Sequence, residues 1–228
     1  MSVALITGGS AGLGRALVTA FAALDWTVIT DARRADRLTA LRESVGPRVV
    51  TVPGDIADAE HRRTLLDQVD ALGGLDLLVH NASTLGPLPL RPLCEVSEQE
   101  LAHTWAVNAG APAALSRALL PWLKRSDGVL ISLSSDAAVE HYPTWGAYAA
   151  SKAALDQLTL TLGAEEGLAA YAVDPGDLRT EMHQAAFPGE DISDRPLPQT
   201  VVPAFLEIVR RRPPSGRYRA VEFALSEV

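Results

Sequence analysis

Three side chains, Ser135, Tyr148 and Lys152, have the types and the spacing to move a proton. The tyrosine and the lysine stand at i and i+4, which on a helix puts them on one face, so that an ammonium lies close enough to stabilise a phenolate. A phenol that ionises near ~10 in water then becomes usable as an acid or base near neutrality. Taken alone, a Tyr-x-x-x-Lys pair is common on exposed helices, where both groups are simply solvated. It gains meaning only if another part of the chain brings a reactant to it.

The amino terminus has that character. Val3-Ala-Leu-Ile-Thr7-Gly8-Gly9-Ser10-Ala11-Gly12-Leu13-Gly14 is a short apolar run that breaks into glycines, then into a helical pattern of Ala16, Leu17, Ala20, Phe21 and Leu24. A buried strand turning sharply into a helix needs residues that tolerate positive φ and close backbone approach. The helix start offers free N–H groups and the positive end of its dipole to a phosphate.

Apolar runs of strand length alternate with helix-period segments along the whole chain. Strands are expected near 3–7, 27–30, 48–52, 75–80, 128–133, 168–173 and 218–223, and helices near 13–24, 34–44, 58–71, 98–123, 147–163 and 199–211. Such alternation predicts an α/β fold, a Rossmann-type doubly wound parallel sheet. No repeat or linker divides residues 1–228, which read as a single dinucleotide-binding and catalytic domain. The irregular stretch from Thr180 to Pro198, proline-rich and acidic, reads as a lid over a substrate.

Composition narrows the partners. A net charge of −8 without a long basic run argues against nucleic acid or an anionic membrane surface. The single cysteine, Cys94, excludes an internal disulfide and a cysteine-built metal site. The chain has no run of eighteen apolar residues and enters a strand at Ser2-Val-Ala-Leu-Ile without a signal-like start, so a soluble cytoplasmic protein is expected.

Together these motifs resemble the short-chain dehydrogenase/reductase family over nearly the whole chain. Thr7 to Gly14 matches that family's Thr-Gly-x-x-x-Gly-x-Gly loop, and Asn81-Ala82 matches the interior of its Asn-Asn-Ala-Gly segment. Asn108, Ser135, Tyr148 and Lys152 match its catalytic tetrad, and Pro175-Gly176 followed by Thr180 matches the segment that closes over the nicotinamide. The resemblance implies a hydride transfer between a nicotinamide cofactor and a carbonyl or alcohol, with no metal. Tyr148 is then the proton donor, Lys152 lowers its pKa and holds the nicotinamide ribose, and Ser135 holds the substrate oxygen. Thirteen residues before the tyrosine is the family's interval, which selects Ser135 over Ser132 and Ser134. Asn108 holds a water that relays protons, a structural polar contact being the alternative. The implied cofactor contacts are Gly8, Ser10, Gly12, Leu13, Gly14, Arg33, Asp55, Ile56, Asn81, Ala82, Pro175, Gly176 and Thr180, besides Tyr148 and Lys152.

Cofactor choice turns on Asp31-Ala32-Arg33-Arg34. Ala32 occupies the position where NAD-preferring relatives carry an acid, and Arg33 can pair with a 2′-phosphate, so NADP(H) is expected in preference to NAD(H). Asp31, one position early on an alternating strand end, should point the other way. The chain departs from the family pattern at His80 and Ser83, which replace the outer Asn and Gly of Asn-Asn-Ala-Gly, and at Asp136, where a small residue is usual. His80 reads as a hydrogen-bonded structural residue. Asp136 puts a carboxylate into or beside the substrate pocket, favouring a basic or hydroxylated substrate. Tyr142, Trp145, Met182, His183 and Phe187 are the expected pocket walls. The stretch around Trp145-Gly-Ala-Tyr148 looks most like the sepiapterin-reductase and benzil-reductase branch, and the family pairs its helices around Asn108 and Tyr148 into homodimers or homotetramers. The competing reading is a dinucleotide-binding sensor or scaffold without turnover. Such relatives generally lose the tyrosine or the lysine, and this chain keeps both.

Overall fold

Every residue of Val3–Ile6 is buried, as befits a central parallel strand covered by helices on both faces. This strand, β1, opens a computed structural model that describes residues 2–224. There follow α1 (Gly12–Ala23), β2 (Thr27–Ala32), α2 (Ala35–Val45), β3 (Val49–Pro53), α3 (Ala59–Leu72), β4 (Leu77–His80), α4 (Glu98–Trp105), α5 (Ala111–Arg125) and β5 (Val129–Leu133). The second half adds α6 (Gly146–Glu166), β6 (Ala169–Asp174), α7 (Glu181–Ala186), α8 (Val202–Arg211), β7 (Gly216–Arg219) and α9 (Val221–Ala224).

All seven strands pair in parallel in the order β3-β2-β1-β4-β5-β6-β7. The period-two alternation divides the core into two layers. Ile6, Val28, Val79, Ile131 and Val173 face α1 and α8 through Leu17, Phe21, Phe205 and Ile208. Leu5, Ile29, Leu78 and Leu130 face α3 and α5 through Leu65, Val69, Leu115 and Leu119. Strand order reverses between β1 and β4, so a crevice opens where their carboxyl ends part, the place where such sheets receive ligands. Among the described residues no helix is long and apolar enough to cross a membrane.

Two expected elements differ. The helix expected over 98–123 is interrupted, because α4 stops at Trp105 and a π-helical turn, Ala106–Gly110, precedes α5. Pro112, in the first turn of α5, has no N–H for the carbonyl of Asn108 in α-helical register, and the backbone widens there. The strand expected over 218–223 runs instead over Gly216–Arg219, because at Ala220, whose N–H goes to the Asp174 carbonyl, the chain turns into α9.

Candidate functional site

The turn between β1 and α1 is held open by missing side chains. Gly8 and Gly12 have φ of +70° and +53°. A Cβ at Gly14 would stand 2.4 Å from both the Gly8 carbonyl oxygen and Asn81 Nδ2, so α1 can pack against the turn only with glycine there. Ala11, at the helix start, provides no side-chain cap. The first-turn N–H groups therefore face the crevice as donors. Thr7 and Asn81 lock this turn to the end of β4: the Asn81 and Ala82 amides each donate to Thr7 Oγ1 at 3.0 Å, and Asn81 Nδ2 donates to the Thr7 and Gly8 carbonyls at 2.8 and 3.2 Å.

Beyond the turn, Asp31 is 1 % exposed. Its carboxylate accepts the Gly8 N–H at 2.9 Å and meets His61 Nε2 at 2.9 Å, so it is engaged by the protein although, contrary to the strand alternation, it lines the crevice with Ala32 and Arg33. A Cβ at Gly54 would lie 2.1 Å from the His61 ring, which marks how closely that histidine packs. Three guanidiniums follow. Arg34 pairs with Asp36, and Arg37 Nη1 reaches Glu181 Oε2 at 2.8 Å. Arg33 is exposed and has no ion-pair partner among the described residues. One oxygen of Asp55 accepts the Ala57 N–H at 2.9 Å, the turn-forming contact expected of an acid after a strand, and both Asp55 and Ile56 line the crevice.

At the other end, Ser135 follows β5 directly, and α6 presents Tyr148, Ser151, Lys152, Asp156 and Thr159 as a buried polar stripe. Lys152 Nζ donates to the Leu133 carbonyl at 2.8 Å and stands 5.6 Å from the centre of the Tyr148 ring. Burial pushes the Lys152 ammonium down to about 8, with Asp156 pulling it back up. Burial also holds the Tyr148 phenol above its ordinary value; Asp136, Asp174 and Asp156 add to this, and the neighbouring Ser135 hydroxyl opposes it. Desolvation and these acids therefore act against the lowering of the phenol that the resemblance assigns to Lys152.

A charged network absent from the sequence reading lies behind these groups. Arg217, on β7, donates to the Ser135 carbonyl at 2.9 Å and reaches Asp156 Oδ2 and Asp174 Oδ2, each at 3.3 Å. Ser134 Oγ donates to Asp156 Oδ2 at 2.6 Å. The network ties the ends of β5, β6, β7 and α6 together beneath the serine. Its only sequence signal was Asp156, four residues beyond Lys152 on the same face.

Asn108 is fully buried and does not line the crevice. Its Nδ2 donates to the Thr84 carbonyl and Ser151 Oγ at 2.8 and 2.9 Å, and its Oδ1 accepts from the Thr84 amide and Ser83 Oγ at 2.8 and 3.2 Å. All four hydrogen-bonding positions of the side chain are filled by protein, which is the structural contact weighed as the alternative to a water relay. Ser83, which departs from the family pattern, is accommodated by this bond. His80 Nε2 lies 2.6 Å from Ser116 Oγ, and burial with the Lys152 charge pushes it down to about 3, so it is a neutral structural residue.

The crevice has a volume of about 900 Å³ and runs from Arg33, Arg34 and Arg37, past the glycine turn and Lys152, to Trp145 and Phe187. Gly8, Ser10, Gly12, Leu13, Asn81, Ala82, Ser135, Tyr148, Pro175, Gly176 and Thr180 all line it, whereas Gly14 lies beneath the turn as packing. Tyr142, Met182 and His183 also line it. Thr180 caps α7 through the His183 N–H and sits 3.4 Å from where a Gly12 Cβ would be, so the expected lid segment rests on the glycine turn. The Phe187 ring packs, tilted, 6.0 Å from that of Trp145 and 5.0 Å from that of His183. Glu181, on α7, and Arg37, on α2, are a second pair that sequence reasoning missed; Arg37 lies one turn into the helix that follows Arg33 and lines the same crevice.

Residues 2–191 match the short chain dehydrogenase family, and the chain belongs to it, a family of oxidoreductases acting on CH–OH and C=O groups. It is 37% identical over 193 residues to a short chain dehydrogenase of Pseudocercospora fijiensis, covering 78% of this chain and 60% of that one, so it spans less than two thirds of that relative. An uncharacterized oxidoreductase of Saccharomyces cerevisiae is 35% identical over 184 residues, 79% of this chain and 72% of that one. The crystal structure of that yeast protein superposes with a TM-score of 0.89 at 27% identity, covering 100% and 99% of the two chains. A short chain dehydrogenase from Shigella flexneri, complexed with NADP, superposes with a TM-score of 0.88 at 30% identity, covering 96% and 97%.

Proposed function

We propose that the protein is an NADP(H)-dependent reductase of carbonyl compounds, or dehydrogenase of the matching alcohols, with Tyr148 as its general acid and base. The observation that carries this reading is the convergence of an uncapped helix start, an unpaired Arg33 and the Ser135–Tyr148–Lys152 group on one crevice. The residues fit a dinucleotide phosphate: the glycine turn leaves room for close approach, and the acid that could have met a ribose diol, Asp31, is engaged by Gly8 and His61. Arg33 is left to meet a 2′-phosphate. The NADP complex of the Shigella flexneri neighbour supports the same choice.

A bound nicotinamide supplies hydride to the carbonyl carbon, or accepts it from the alcohol. Tyr148 gives its phenolic proton to the carbonyl oxygen in one direction and takes it back in the other, while Ser135 donates a hydrogen bond to the same oxygen. Lys152, mostly protonated near neutral pH because it titrates at about 8, favours the phenolate against the burial that opposes it. Asn108 positions the Thr84 loop and Ser151 behind this group rather than touching the reactant. The segment from Thr180 to Pro198 serves as the lid, tethered at its base by the Arg179 N–H to the Pro196 carbonyl at 2.8 Å. Leu101, Trp105 and Leu158, apolar and exposed on α4 and α6, support a homodimer or homotetramer paired through these helices, for which sedimentation is the test.

The test of the activity is NADPH oxidation by the full chain against aldehydes, ketones, diketones and pterins. Turnover of a carbonyl compound is expected. Tight NADPH binding with no turnover across the panel would favour the non-catalytic binding reading instead.

A further inference from the structure

We propose that Asp136 is an ammonium-binding residue of the substrate subsite, and that the preferred substrates are short amino alcohols and the matching amino ketones. The inference rests on the oxidoreductase reading above and names its substrate class.

Asp136 stands at the start of a single 3₁₀ turn, Asp136–Ala138, and is fixed from three directions. Its Oδ1 accepts Ser135 Oγ–H at 2.9 Å and the Ala137 N–H at 2.8 Å, and its Oδ2 accepts Tyr142 O–H at 2.9 Å. An ionised carboxylate has about four acceptor positions, so one remains free, and the residue lines the crevice and is exposed to it.

The charge around it is unbalanced. The acids behind the site, Asp156 and Asp174, are both met by Arg217, and Asp177 faces Arg195 and His183, each at 3.9 Å. Asp136 has no cation within ion-pair distance among the described residues, and Glu140 and Asp177 add negative charge on its Tyr142 side. Lys152 is the nearest cation of the reacting group, and its ammonium is turned to the Leu133 carbonyl. The substrate end therefore presents an anion held in place with nothing to neutralise it, beside apolar walls of Trp145, Met182 and Phe187.

Oδ1 already accepts two donors, so the free acceptor position is on Oδ2, beside the Tyr142 hydroxyl. An ammonium there neutralises the carboxylate, while Ser135, bonded to the other oxygen of the same group, stands within reach of a substrate oxygen on a short molecule. The same neutralisation removes one of the acids that hold the Tyr148 phenol up. In the oxidative direction the carbinol carbon gives hydride to NADP⁺, the hydroxyl gives its proton to Tyr148, and the amino group is retained.

The test compares isopropanolamine with sec-butanol, which share a skeleton and differ by an ammonium in place of a methyl, as substrates with NADP⁺. Aminoacetone and butanone are the same pair in the reductive direction with NADPH. In the parent protein kcat/KM should favour the amine by roughly tenfold or more, the scale of one charge-assisted hydrogen bond. Asp136→Asn should abolish that preference, chiefly through the amine. In the parent alone, the preference should fade as pH rises through the amine's own pKa, a readout that needs no variant to fold. A preference for sec-butanol and butanone in the parent, or an amine preference that survives Asp136→Asn or persists above the amine's pKa, overturns the proposal. Turnover of the neutral pair without discrimination sinks the substrate assignment and leaves the oxidoreductase reading standing. No turnover of either pair, or of any compound in the carbonyl panel, overturns both.

Discussion

At the adenosine end of the crevice the groups offered to a ligand are backbone amides, set by Gly8, Gly12 and Gly14 and locked by the Thr7–Asn81 clamp, and the charge is that of Arg33, Arg34 and Arg37. At the substrate end they are side chains from three separate places, Ser135 after β5, Tyr148 and Lys152 on α6 and the α7 segment, backed from behind by Arg217 on β7, in a field dominated by acids. On the proposed function, one end holds a phosphate by shape that only glycine permits; the other holds reactive groups by a buried charge network. The two ends therefore answer differently to mutation and to pH. Changes at the first should alter cofactor affinity and leave chemistry intact, and changes at the second should do the reverse.

The sharpest way to break this division is Tyr148→Phe, which keeps the ring and removes the proton. Turnover should fall about a hundredfold or more, the scale of general acid catalysis, while NADPH titration remains near the parental value. Near-parental turnover would move the proton donor elsewhere, with Asp136 and His183 the next groups in the crevice. Arg33→Ala is the matching change at the adenosine end. It should weaken NADPH by about tenfold to a hundredfold and NADH hardly at all, with kcat kept. Equal affinities of the parent for the two cofactors would show that Arg33 does not select between them.

Legibility in the sequence follows the same division. The glycine turn was readable because its demand is local: backbone that must take positive φ or touch Asn81 admits one residue type. Asp31 was less readable: strand alternation turned it away from a ligand, yet it lines the crevice while bonded to Gly8 and to His61, thirty residues away. At the substrate end the meeting of Ser135, Tyr148 and Lys152 in one crevice was legible, but their energetics were not. Tyr148 and Lys152 do share a helix face, yet burial and the acids around them act against the lowering expected for the phenol. Arg217 stands sixty-one residues from Asp156, and no spacing rule links them. The π-helical turn at Asn108 depends on Pro112 and on the Thr84 loop together, so an apolar helical period ran straight through it.

A smaller effect sharpens the electrostatic half of the comparison. Lys152 titrates at about 8 in the folded protein against 10.5 ordinarily, so between these values the unfolded chain holds a proton that the native state has lost. More protons bound when unfolded means that stability rises with pH through that window. Measured without cofactor, the melting temperature of the parent relative to Lys152→Met should climb by on the order of a few degrees between the two values. A flat difference would mean that Lys152 keeps its ordinary pKa. The smallest change expected is at the ion pair that, among the described residues, joins the two ends, Arg37 to Glu181. Both side chains reach solvent, so Glu181→Gln should speed cofactor release by no more than about fivefold. A larger change in release would make this pair a principal latch of the lid.

Whether the two ends work as one active site is tested most directly by isotope. The full chain is given NADPH deuterated at both hydrogens of the transferable position, together with a carbonyl compound from the panel, and the product alcohol is weighed by mass spectrometry. The account predicts one deuterium on the carbinol carbon in the parent, and product formation at least about a hundredfold slower in Tyr148→Phe. Bound NADPH that delivers no deuterium to any carbonyl compound would contradict it.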